Sequence, residues 1–173
     1  MRLIKSSADD LGRLTEFYKY VIDNTVHMKQ YCGWIYGLHP SDDMIRSYID
    51  DGNMYHSEDS GAITAAVALT PYQGPDYHEV SWDIVAADNE VYVVHILCVS
   101  PDIQQSGAGR EIMNEAIRMA REAGMKAVRL DALNINLPAH RLYEGLRFKK
   151  TGELKMYAAN LGWADFWMYE LIL

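Results

Sequence analysis

From Val91 to Val99 the chain is apolar and largely β-branched, interrupted only by His95, which predicts a buried strand. Pro101 ends the pairing, because proline has no N–H to donate. Downstream, Ile112, Met113, Ala116, Ile117, Ala120 and Ala123 recur on one helical face, and Gly124 supplies a C-terminal stop. Lys126 to Leu133 reads as the next strand. A strand, a helix and a strand joined this way are most simply a right-handed parallel crossover.

Other segments carry weaker versions of the same two periods. Met1 to Lys5 predicts a short first strand. Ser7 is placed to cap a helix, with Asp9 and Asp10 in the first turn and Leu11, Leu14, Tyr18, Val21 and Ile22 on its apolar face. Ser41 caps a second helix carrying Met44, Ile45, Tyr48 and Ile49, which Asp51-Gly52 ends. Between them, residues 27–39 are rich in aromatics without a period. Trp34 or Tyr36 there could hold a cation over a ring, or simply cover the edge of the core. Met54 to Ser57 and Ile63 to Thr70 alternate as strands, separated by the turn chemistry of Glu58 to Gly61. Residues 76–86 alternate at Val80, Trp82 and Ile84 but also admit a short helix. Pro138 to Leu146 predicts a short helix with Asn136 at or before its cap. Phe148–Ala158 and Trp163–Leu173 complete the strands, with residues 156–164 partly loop. Trp163, Phe166, Trp167 and Tyr169 are expected to pack on the sheet or against a second subunit.

Between the central strand and its helix stand Gln104, Gln105, Ser106, Gly107, Ala108, Gly109 and Arg110. Small residues let a ligand approach the main chain, and the free N–H groups of a helix start favour an anion such as phosphate. Arg110 could add a formal charge. A nucleoside-triphosphate P-loop needs a Lys-Ser or Lys-Thr after the glycines, and none follows. A dinucleotide fingerprint needs a small residue where Ile112 stands, and an earlier place in the chain. The Gln/Arg-x-x-Gly-x-Gly/Ala pattern is met in full by Gln104 to Gly109.

This turn resembles the acyl-CoA pyrophosphate loop of the GCN5-related N-acetyltransferase (GNAT) superfamily. A second motif of that family, Asn-x-x-Ala-x-x-x-Tyr-x-x-x-Gly-Phe, is similar to Asn136, Ala139, Leu142, Tyr143 and Phe148, with Arg147 in place of the usual glycine. The resemblance spans roughly residues 91 to 148. It implies an α/β (α+β) fold: a mixed central sheet of about seven strands flanked by about four helices, with acetyl-CoA wedged between the fourth and fifth strands. It further implies that the main chain of Leu97, Cys98 and Val99 holds the pantetheine arm and polarises the thioester. Gln104, Gln105, Ser106, Gly107, Ala108, Gly109 and Arg110 would hold the pyrophosphate, and Asn136 would contact the coenzyme. Tyr143 would protonate the departing thiolate; a buried core tyrosine is its alternative.

Length, charge and cysteines narrow the field. The chain has 173 residues, 49% apolar and 23% charged, as expected of one domain spanning residues 1–173. Its net charge of −8 argues against general nucleic-acid or anionic-membrane binding. The charge is compatible with a cationic substrate and equally with solubility alone. Cys32 and Cys98 make no disulfide framework. No signal peptide is evident and no run approaches the ~18 apolar residues of a membrane span, so a cytoplasmic location is expected. The six histidines show no ligand spacing, so no metal is expected.

An amine of pKa ~10 must lose a proton before it attacks a thioester. His95 is the only side chain inside the central strand that ordinarily titrates near neutral pH and is the candidate base, although a lone strand histidine is often a hydrogen-bonded core residue. Asp83, Glu79 and Asp131 are weaker candidates. Cys98 lacks the partners of a nucleophile. These readings together predict an acetyl-CoA-dependent N-acetyltransferase acting by direct attack on a small-molecule or peptide amine, compatible with a homodimer. Transfer of another acyl group, and a non-catalytic acyl-CoA sensor, are the alternatives.

Overall fold

A computed structural model describes residues 1–173. Seven strands form one sheet: β1 (Ile4–Lys5), β2 (Met54–Asp59), β3 (Ala62–Thr70), β4 (Val91–Val99), β5 (Ala127–Leu133), β6 (Lys149–Ala158) and β7 (Gly162–Ile172). Their order is β1-β2-β3-β4-β5-β7-β6, and only β4 and β5 run parallel. The helices are α1 (Leu11–Asn24), α2 (Met28–Tyr31), α3 (Asp42–Asp50), α4 (Ala108–Glu122) and α5 (Leu137–Gly145). The expected mixed α/β sheet is present.

Sequence period decides which face each helix covers. Ile112, Met113 and Ala116 of α4 pack with Val94, Val128 and Leu130 on one face of the sheet. Leu14 and Tyr18 of α1 and Ile45 of α3 pack with Ala66, Ala68 and Cys98 on the other. Leu14, Ile45 and Ile112 are fully buried, so truncating any of them to alanine costs about 2–5 kcal/mol. The Ser41 cap read from sequence is in place, whereas Ser7 opens a 3-10 turn (Ala8–Asp10) ahead of α1 and its hydroxyl donates to the Asp10 carboxylate. Ser41 Oγ accepts from the Met44 N–H at 3.2 Å. The Asp10 carboxylate accepts from the Ser7 N–H at 2.9 Å, which lowers its pKa.

Three segments differ from the pattern. Residues 27–39 contain the short α2, entered through His27 at φ +62°. Residues 75–79 form a 3-10 turn, and the alternation after it makes no strand. Instead Val80, Trp82 and Ile84 pack onto a cluster containing Tyr77 and Met168. Side chains from the sheet, not a neighbouring strand, satisfy main-chain groups of this stretch: Arg129 donates to the Ile84 carbonyl and Glu170 accepts from the Asp83 N–H. Finally, β6 and β7, after a register shift between Lys150 and Gly152, stay paired out to Ala158–Gly162, so only a tight turn separates them. Tyr169 is buried as expected, whereas Trp163 is 69% exposed against Tyr157.

Candidate active site

The site is made by two strands that part. β4 and β5 pair only from Val91–Ala127 to Val94–Leu130. Immediately beyond, β4 bulges. Ala68 faces His95 and Ala66 faces Cys98, so Ile96 and Leu97 together oppose Val67. A bulge bends its strand and re-aims side chains. Ile96 sits at φ +43°, a strained conformation for a β-branched residue. Buried Tyr18 steadies it, donating its hydroxyl to the Ile96 carbonyl at 2.8 Å. The β5-facing main chain of Leu97, Cys98 and Val99 therefore borders a gap, not a ladder partner. The side chain of Cys98 turns away into the α1–α3 core, where burial pushes its thiol pKa well up.

At the end of β4 the turn is preformed. Gln105 at φ +63° and Gly107 at φ +98° place two left-handed residues in the turn, the kind of backbone from which anion-cradling runs of N–H groups are built. The helical ladder of α4 begins with the Glu111 N–H bonded to the Gly107 carbonyl, so the N–H groups of Ala108, Gly109 and Arg110 precede it. Gln104 braces the turn by donating to Thr25 Oγ1 and to the Val99 carbonyl. Ser106 donates to the Ile103 carbonyl at 2.6 Å. Arg110 reaches away from the turn and donates to the Gly145 carbonyl at 2.9 Å, at the end of α5. The residues present thus fit a diphosphate through main-chain amides.

On the far side of the gap, Asn136 caps α5, accepting from the Ala139 N–H at 3.3 Å and donating to Cys32 Sγ at 3.4 Å. Burial raises the Cys32 thiol to about 11. Tyr143 is buried, its ring against Phe148 and Tyr169. The end of α5 fixes it. The Phe148 N–H returns to the Tyr143 carbonyl and the Arg147 N–H to the Glu144 carbonyl, with Arg147 at φ +69°. This is a Schellman cap, and the Tyr143–Phe148 contact is its hydrophobic clasp. Arg147 therefore keeps the left-handed turn that glycine would adopt freely. Burial, then the nearby Asp131 charge, pushes the Tyr143 pKa well up, so its hydroxyl stays protonated.

On the opposite sheet face, His95 and Asp131 line a cavity of about 310 Å³ with Tyr48, Thr70, Tyr72, Gly74, Asp76, Tyr77 and Met156. Burial lowers the His95 pKa, against a smaller opposing influence of Asp131, so the ring is neutral at pH 7. His95 Nε2 lies 3.2 Å from Thr70 Oγ1, whose own proton goes to the Tyr72 carbonyl at 2.9 Å. Thr70 can only accept from the ring, so Nε2 carries the hydrogen and Nδ1 keeps the lone pair. Tyr48 stacks on His95. Asp131 Oδ1 accepts from the Tyr77 hydroxyl at 2.7 Å.

Asp83 and Glu79 do not line this cavity. Asp83 instead pairs with Lys149. Trp34 and Tyr36 are also elsewhere, Trp34 against Tyr18 and Tyr36 bonded to Asp42, covering the core edge. No sequence signal marks Tyr48 or Tyr77 here, because Tyr48 stands on the apolar face of a helix and Tyr77 lies in residues 76–86, which admit either a strand or a short helix. No group of three or more His, Cys, Asp or Glu side chains could hold a metal. No helix is long and apolar enough to cross a membrane.

A mixed sheet whose central parallel pair parts beside an amide-lined turn defines an acyl-CoA N-acyltransferase fold. The sequence pattern of the Acetyltransferase (GNAT) family matches residues 14–148, and the chain belongs to that family. The "Probable N-acetyltransferase camello" of Xenopus laevis is 40% identical over 65 residues, 38% of this chain and only 29% of that protein. Among solved structures, ribosomal-protein-alanine N-acetyltransferase from Brucella melitensis superposes with a TM-score of 0.73 at 17% identity, covering 100% of both chains. The yncA protein of Salmonella typhimurium, solved with its cofactor acetyl-CoA, gives 0.71 at 19% identity, covering 100% of this chain and 94% of that one.

Proposed function

We propose that this protein is an N-acetyltransferase that transfers the acetyl group of acetyl-CoA to the primary amine of a small molecule or exposed amino group. Both substrates are bound at once and no acyl-enzyme forms. One observation carries the reading. The gap between β4 and β5 has at its mouth a turn whose main-chain amides precede the α4 ladder, a neutral histidine on one face and a protonated tyrosine on the other.

Acetyl-CoA supplies a thioester, whose carbonyl carbon gains a C–N bond as its C–S bond breaks. The main-chain amides of residues 104–110 hold the diphosphate, and those of Leu97 to Val99 align the arm and polarise the carbonyl. His95 takes one proton from the incoming ammonium at Nδ1 and passes it to solvent. Tyr143 is the acid for the departing sulfur. Its raised pKa makes it first a hydrogen-bond donor, with proton transfer coupled to C–S cleavage. The second proton, lost by the acylated nitrogen, restores it. The test is to mix protein, acetyl-CoA and a panel of amines and to follow free thiol and the N-acetyl product. Amine-dependent thiol release supports the reading. Tight coenzyme A binding without turnover across the panel overturns it.

A further inference from the structure

We propose that the acceptor is a small amine that carries a second positive charge and no carboxylate, held between Asp131 at the gap and Asp76 at the cavity mouth. This rests on the reading of that cavity as the acceptor site. Its volume of about 310 Å³ is at the low end of ligand sites, which run from about 300 to 1,000 Å³, and so suits a compact molecule.

Charge decides the class. Asp76 and Asp131 are the only charged residues on the cavity wall, and no lysine or arginine lines it. Neither acid is in an ion pair within the fold. Asp131 accepts one hydrogen bond, from Tyr77, which leaves its second oxygen for a ligand. Tyr77 sets the spacing, since its hydroxyl meets Asp131 while Asp76 adjoins its backbone. One acid thus stands at each end of this tyrosine side chain. Tyr48 and Tyr72 add rings over which a cation is attracted. An acceptor with a carboxylate would bring that group to an acidic wall with nothing to pair it.

The experiment compares kcat/KM for butane-1,4-diamine, butylamine and 4-aminobutanoate, which share one chain length, with acetyl-CoA as donor. Attraction gained and repulsion avoided together favour the diamine over the amino acid by about tenfold, with butylamine between. Added salt shrinks the difference. Calorimetry shows the diamine binding the protein more tightly than 4-aminobutanoate. Asp76→Asn brings the diamine-to-amino-acid ratio towards one, and Asp76→Lys inverts it. Thiol release at equal rates for all three, a preference for the amino acid, or a diamine preference unchanged in both Asp76 variants overturns the acceptor class and leaves the transferase reading standing. No thiol release with any amine overturns both.

Discussion

His95 and Asp131 occupy the first register positions beyond Val94–Leu130, the last pair that β4 and β5 make before they part. Parallel neighbours at one register position point to the same face, so the imidazole and the carboxylate enter one cavity from two strands. Burial lowers the histidine pKa and the carboxylate partly restores it. The pair is therefore an electrostatic couple placed by strand register.

That couple predicts the pH profile. A base must be neutral, and the His95 pKa lies below its ordinary value of 6.5. kcat/KM should therefore be level near pH 7 and fall on an acid limb below 6.5. His95→Gln should lower kcat by about a hundredfold or more and remove that limb. Asp131→Asn withdraws the charge that raises the His95 pKa, so the limb should move to lower pH. A limb that persists unchanged in His95→Gln assigns the base elsewhere.

Tyr143 makes no hydrogen bond that a phenylalanine would lose, and its ring contacts with Phe148 and Tyr169 survive the change. Tyr143→Phe should leave the urea midpoint nearly unmoved and coenzyme A affinity within about twofold, while kcat falls by about a hundredfold. Equal losses of affinity and kcat would give the hydroxyl a binding role instead.

Arg147 holds φ +69° at the Schellman position of α5, where the family motif has glycine. A left-handed residue with a Cβ is strained by about 1–2 kcal/mol, partly offset because glycine gains freedom in the unfolded chain. Arg147→Gly should raise stability by about 1 kcal/mol in urea unfolding, whereas Arg147→Ala should not.

Much of this was legible in the residues themselves. The run Val91–Val99, the turn at 104–110 and the spacing from Asn136 to Phe148 are local signals, and they located β4, α4, α5 and Tyr143. The bulge was not legible: Ile96 is an ordinary strand residue by type, and only a hydroxyl 78 positions away holds it at positive φ. Asp131 read as a weak candidate because nothing nearby in sequence shows that β5 has left β4 by that point. Arg129, one position on from the apolar Val128, gave no hint of a partner 41 residues later.

Three histidines predict how stability depends on pH. His39, His95 and His140 all have lowered pKa values, in each case first through burial. The unfolded chain therefore binds protons that the folded one refuses. Their contribution is present above pH 6.5 and is lost as pH falls below it, so the urea midpoint should drop between pH 7 and pH 5. His140→Gln should flatten that drop in part.

A buried ion pair holds the wall of the cavity that His95 and Asp131 line. Arg129 and Glu170 are 1% and 2% exposed. Arg129 Nε and Nη2 both donate to Glu170 Oε1, at 2.9 and 2.8 Å. The same two side chains grip the loop above them. Arg129 donates to Gln73 Oε1 and the Ile84 carbonyl and lies 4.3 Å from the Trp82 ring, while Glu170 Oε2 accepts from the Asp83 N–H at 3.0 Å. Tyr77, in the middle of that loop, carries the hydrogen bond to Asp131. Glutamine at 170 has one acceptor oxygen where two are used and leaves the guanidinium uncompensated, so Glu170→Gln should cost about 3–5 kcal/mol. A buried ion pair can often be replaced by apolar residues without loss. Here the double variant Arg129→Met, Glu170→Leu would still take their partners from the part-buried Ile84 carbonyl and Asp83 N–H, at about 0.5–1.5 kcal/mol each. It should therefore remain less stable than the parent, and it should raise the acceptor KM while leaving the KM for acetyl-CoA nearly unchanged. Full stability with both KM values unchanged would show that the pair is dispensable to the sheet and to the cavity wall alike.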